Sequence, residues 1–72
     1  MEKAISIEIS KLKCDASKRN ELEIDFLKRL FAAKQPIPCP CVNKNNEVIA
    51  FQSSYFVLKD FNIKEASAIL IE

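Results

Sequence analysis

Glycine, histidine and tryptophan are all missing from these 72 residues. Without glycine, the phosphate-cradling loops of the dinucleotide and Walker types have nothing to be built from. Without histidine, the commonest general base and metal ligand is gone, and with it Ser-His, Cys-His and His-rich zinc chemistry. An excess of one charge is lacking too: 11 Lys and Arg against 10 Asp and Glu leave a formal charge of +1. No global field then draws the chain to nucleic acid or anionic lipid, and any such binding needs a local patch. Apolar runs fall far short of the roughly 20 residues a membrane helix requires, and the N-terminus has no signal-peptide core. The expectation is a soluble, cytoplasmic protein without membrane contact. Cysteine is scarce and odd in number, with Cys14, Cys39 and Cys41 at no framework spacing, which favours free thiols in a reducing compartment.

What is present supports a packed core. Nearly half the residues are apolar, five of them Phe, which argues against disorder. At this length residues 1–72 read as one domain, small enough that nearly every apolar side chain is needed inside. Ile5, Ile7 and Ile9 alternate with Ser6, Glu8 and Ser10, the pattern of a half-buried, edge-type strand. Lys11 to Asn20 is polar and reads as a loop. Asn20 with Glu23 three residues later suits a capped helix start. That helix is expected to place Leu22, Phe26, Leu27, Leu30 and Phe31 on one core-facing stripe, with Lys28, Arg29 and Lys34 in solvent. Pro36, Pro38 and Pro40 end it.

Cys41-Val42 and Val48-Ile49-Ala50 flank Asn43-Lys44-Asn45-Asn46, whose asparagines tolerate left-handed backbone and can close a hairpin. A second helix is predicted over about Ser53 to Phe61, its apolar surface built from Tyr55, Phe56, Val57, Leu58 and Phe61. Asn62 is its expected left-handed terminator. The final strand, Ala66 to Ile71, is apolar on both faces, as for a strand covered by helices. The class is α+β, in the order strand, helix, strand, strand, helix, strand.

With that order on the page, the chain resembles the ParB-like N-terminal domain, whose fold is shared with sulfiredoxin. Ile5 to Leu12 looks like the family's opening strand and the turn after it, Leu27 to Ala33 like its first helix, and Pro38 to Val42 like its proline-led strand. Val48-Ile49-Ala50 sits where the family has a strand running into a Gly-Glu-Arg-Arg turn, and Asn62 falls where a glycine is usual. The resemblance implies a phosphate-handling turn at Phe51-Gln52-Ser53-Ser54, but the acid and both arginines of that turn are missing there. The Gly-Cys-His-Arg turn of sulfiredoxin is equally absent, so neither phosphate capture nor reductase chemistry is expected to carry over, and the DNA-binding helices that follow this domain in partition proteins are absent from the sequence.

Each candidate site has two readings. Phe51, Gln52, Ser53 and Ser54 could bind a small anion at a helix N-terminus, or a serine could simply cap the helix. Phe51 could staple the helix entry against Phe56, or stand exposed as an anchor for a partner. Cys39 and Cys41, two apart, would present both thiols on one side of a strand. With Cys14 they make one ligand fewer than structural zinc requires, so buried small hydrophobes are the plainer reading and no metal or cofactor is expected. Lys11, Lys13, Lys18, Arg19, Lys28 and Arg29 could gather into a nucleic-acid patch, or alternate with Asp15, Glu21, Glu23 and Asp25 as a solvated face. The reading that follows is a non-catalytic protein-interaction or regulatory module that binds another protein or a second copy of itself. Nucleic-acid or nucleotide binding through the basic loop and first helix is the alternative.

Overall fold

The computed structural model describes residues Glu2–Ile71. The elements run β1 (Glu2–Glu8), α1 (Glu21–Ala32), β2 (Cys41–Val42), β3 (Val48–Ala50), α2 (Gln52–Asp60) and β4 (Glu65–Ile71), with short 3-10 turns at Ile9–Lys11 and Ala16–Lys18. This is the expected α+β order. The strands form one sheet ordered β1-β4-β2-β3, in which β4 runs antiparallel to β1 and parallel to β2, while β2 and β3 form an antiparallel hairpin. The strand closing the chain therefore lies inside the sheet, and the opening strand lies at its edge as predicted.

Local chemistry explains the boundaries. Asn20 accepts the Glu23 amide at 3.2 Å, so α1 begins at the expected cap. Its end differs from expectation: Lys34 adopts φ 61°, its amide reaches the Phe31 carbonyl and that of Gln35 reaches Leu30. That pair of bonds satisfies the last carbonyls two residues before the first proline, so the prolines follow the helix end without making it. Asn62 ends α2 in the same way, with φ 58° and an Ile63 amide bonded to Leu58. In the hairpin, Asn46 takes φ 63° while the Asn43 side chain accepts the amides of Asn45 and Glu47. Asparagine thus supplies two of the left-handed positions a glycine would normally fill.

The core joins Ile9 and Leu12 with Ile24 and Leu27 of α1, Val42, Val48, the Tyr55–Leu58 run of α2 and Ala68 of β4. Four expectations change here. Ile9 leaves the strand and enters the core from a 3-10 turn, because β1 stops at Glu8. The Lys11 to Asn20 loop is more ordered than its polarity suggests: Asp15 accepts the Ser17 amide, and Lys13 bridges to the β3 approach through bonds with Asn46 and Val48. On α1 the buried line is Ile24 and Leu27, with Leu30 and Phe31 half-buried, whereas Leu22 and Phe26 point away from the core. Finally, β4 is well covered on one side and only partly on the other, where Ile69 and Ile71 are half-buried. Ala66, Ala68 and Leu70 face the core, while the alternate face carries exposed Ser67 and Glu65 opposite Ser6 and Glu8 of β1.

Candidate functional site

The strand-to-helix turn from Ala50 into α2 is tight. Phe51 stands at the N-cap with φ 55° and ψ 44°, in the left-handed region, and the Ser54 amide donates to its carbonyl at 3.1 Å. For a residue with a Cβ this backbone costs roughly 1–2 kcal/mol. The phenyl ring recovers little of that by burial, since 54% of the residue is exposed. Phe56 instead packs edge-on with Tyr55 and lies under the Arg19 guanidinium at 5.1 Å. Phe51 is itself the N-cap, one place too late for a staple.

Ser53 and Ser54 do not cap the helix, correcting the plainer reading of the turn. The cap residue is Phe51, which has no side-chain acceptor, and both serines are buried. The Ser54 hydroxyl has no hydrogen-bond partner among the described residues. Gln52 lines a cleft of about 360 Å³. Lys13 and Lys18 of the basic set line it too, but Asp15 and Glu47 are on the same wall. Two cations meet two carboxylates, so the cleft has no net positive charge for an anion. The Ser17 amide holds Asp15 below the usual carboxylate range, which keeps that acid ionised.

The six basic residues divide into two groups. Arg19 forks between Glu21 at 2.6 Å and Asp60 at 2.8 Å, and Lys28 reaches the same Asp60 oxygen at 2.8 Å. Hydrogen bonds from Arg19 and Lys28 hold the Asp60 carboxyl down at about 2, and Arg19 is raised in return, chiefly by Asp60. This cluster straps the end of α2 to α1 and uses up two cations expected in solvent. Arg29 pairs with Asp25 one turn back at 3.7 Å. Lys11, Lys13 and Lys18 make no ion pair among the described residues, and they lie on the segment between β1 and α1.

The thiols do not converge. Cys41 is buried, Cys14 half-buried and Cys39 exposed, so the pair two apart does not share one environment; β2 begins only at Cys41. Burial pushes both the Cys14 and Cys41 thiols up. Among the described residues no group of three or more Cys, Asp or Glu is placed to hold a metal ion, and no helix is long and apolar enough to cross a membrane.

One concavity was not legible beforehand. It is an open groove of about 710 Å³ between the first 3-10 turn and the end of α2, lined by Tyr55, Lys59, Lys64, Glu8 and Glu65 among others. The Lys59 ammonium sits 5.9 Å from the Tyr55 ring centre. Its walls come from two distant stretches of chain, residues 8–12 and 55–65, and no local motif marks them.

Two solved structures align over almost the whole chain. One, described as the C2221 form of a Pnob8-like ParB-N domain, superposes with a TM-score of 0.78 at 19% identity, covering 97% of this chain. The other, a pNOB8-like ParB N-domain, gives 0.72 at 19% identity over the same 97%. The fold is that of a ParB N-domain. The chain spans 30% and 27% of the length of those two chains. No family model and no curated protein matches the sequence. The left-handed Phe51 occupies the place that the sequence resemblance gave to glycine, the residue that takes this backbone at least cost.

Proposed function

We propose that this chain is a non-catalytic protein-interaction or regulatory module built on the ParB N-domain fold. The observation that carries this reading is Phe51: a large apolar side chain held by strained backbone at a turn and left more than half in solvent. Strain of this kind persists where the surrounding structure over-determines it, and it clusters at functional positions. Ile49, one residue before Ala50, is also exposed and extends the apolar surface along β3. The turn meanwhile has no charged side chain in residues 51–54 and its cleft is electrically balanced, which favours an apolar contact over a phosphate.

Nucleic acid is the less favoured partner, because Arg19, Lys28 and Arg29 are already engaged with carboxylates. Binding through Lys11, Lys13 and Lys18 would fall steeply with salt, losing affinity in proportion to the phosphates neutralised.

Paired pull-downs from the native host test the proposal. The wild-type chain is expected to retain a protein subunit in fixed ratio, and Phe51→Asp to lose it with an unchanged far-ultraviolet spectrum. Calorimetric titration with magnesium nucleoside triphosphates is expected to give no heat of binding. Saturable nucleotide binding, or turnover that disappears in Ser54→Ala, would overturn the reading.

A further inference from the structure

Helix α1 has a second apolar face that its own fold does not use. At about 100° per residue, Leu22, Phe26 and Ala33 fall within about 40° of each other and roughly opposite Ile24 and Phe31. Leu22 is 87% exposed and Phe26 60%. One flank of this stripe carries Asp25 and Arg29, both well exposed and paired only with each other. The charges along the helix are segregated: Glu21, Glu23 and Asp25 occupy its first half, Lys28 and Arg29 its second, with Lys34 just beyond.

We propose that this face is the seam of a homodimer in which α1 packs antiparallel on α1 of a second copy, about a two-fold axis at the level of Leu27. The two-fold operation keeps each flank beside its own equivalent, so Asp25 of one copy lies opposite Arg29 of the other, twice over. Phe26 sits beside its symmetry mate near the axis and Leu22 reaches toward the Ala33 end of the second helix. A parallel arrangement would instead lay the acidic first halves of the two helices side by side, and they would repel. Antiparallel packing also opposes the two helix dipoles favourably, and the small net charge leaves no global repulsion between copies.

A helix of 12 residues is about 18 Å long, so the seam buries less than the roughly 1,200 Å² of a strong interface. The dimer is accordingly weak, with dissociation in the micromolar range. It deepens the interaction-module reading by naming one partner, and it uses a face separate from Phe51.

Sedimentation equilibrium from micromolar to millimolar protein tests it. The wild-type chain is expected to show a reversible monomer–dimer equilibrium. Leu22→Ser with Phe26→Ser should weaken it by about 100-fold or more without altering the far-ultraviolet spectrum, since neither residue is in the core. Asp25→Arg alone and Arg29→Asp alone should each weaken the homodimer about tenfold; mixing these two variants, or combining both changes in one chain, should restore association. A chain that stays monomeric at millimolar concentration, or a dimer indifferent to Leu22→Ser with Phe26→Ser or to the charge reversals, would overturn the homodimer. In those cases a subunit still retained by the wild type and lost on Phe51→Asp would leave the interaction reading standing by itself.

Discussion

The two helices have opposite relations to the fold. In α2, six consecutive residues from Ser53 to Leu58 are buried, so the helix is enclosed on every side. In α1, which is three residues longer, Ile24 and Leu27 alone are fully buried, and two large apolar side chains face solvent. A helix enclosed all round holds the domain together; one buried along a single stripe can offer its other face to something else. The 72-residue chain thus separates stability from surface between two elements of similar apolarity.

The largest expected effect tests that contrast directly. Leu58→Ala should destabilise by about 2–4 kcal/mol through lost transfer energy and a cavity, while Leu22→Ala should change stability by less than about 0.5 kcal/mol. Denaturant melts of both variants measure this, and comparable losses would break the comparison. Next come the helix ends. Lys34→Gly should stabilise by about 1 kcal/mol by removing the left-handed penalty of a Cβ-bearing residue, whereas Asn62→Gly should gain only a few tenths, because asparagine already tolerates that region. Equal gains would show that the two termini are not strained differently.

The smallest effect concerns the strap between the helices. Asp60 is held at about 2 in the folded chain, below the value near 3.9 of a free aspartate. A depressed carboxylate stabilises the fold above its unfolded pKa and loses that contribution as pH falls through the folded value, here between roughly pH 4 and 2. Partial exposure of the cluster limits its worth to about 1 kcal/mol. Asp60→Asn should therefore lower stability at neutral pH and flatten the acid limb of a pH-dependent melt. An unchanged acid limb would detach Asp60 from the strap.

Much of the fold was legible from local chemistry. The Asn20 cap, the asparagine hairpin, the Asn62 terminator and the element order each rest on residues within a few positions of one another, and all stand in the structure. The α1 stripe was misread because Leu22, Phe26 and Leu30 form a regular apolar row as convincing in sequence as Ile24, Leu27 and Phe31. Choosing between them depends on where α2 and the sheet lie. The turn at residues 51–54 was found, but the roles within it were not, since a serine near a helix start reads as a cap until Phe51 is seen to hold that position. The pairing of Arg19 and Lys28 with Asp60 joins residues 41 and 32 positions apart, a separation no spacing rule reaches.

The amino-acid sequence by itself determined which segments become strand, helix and turn, and excluded glycine-loop and histidine chemistry, because these follow from side-chain type and short-range periodicity. Tertiary structure alone decided which face of α1 is left over, which cations are neutralised and how exposed Phe51 is. Those outcomes depend on which distant surfaces meet, and contact between remote parts of a chain is settled only when the whole core closes.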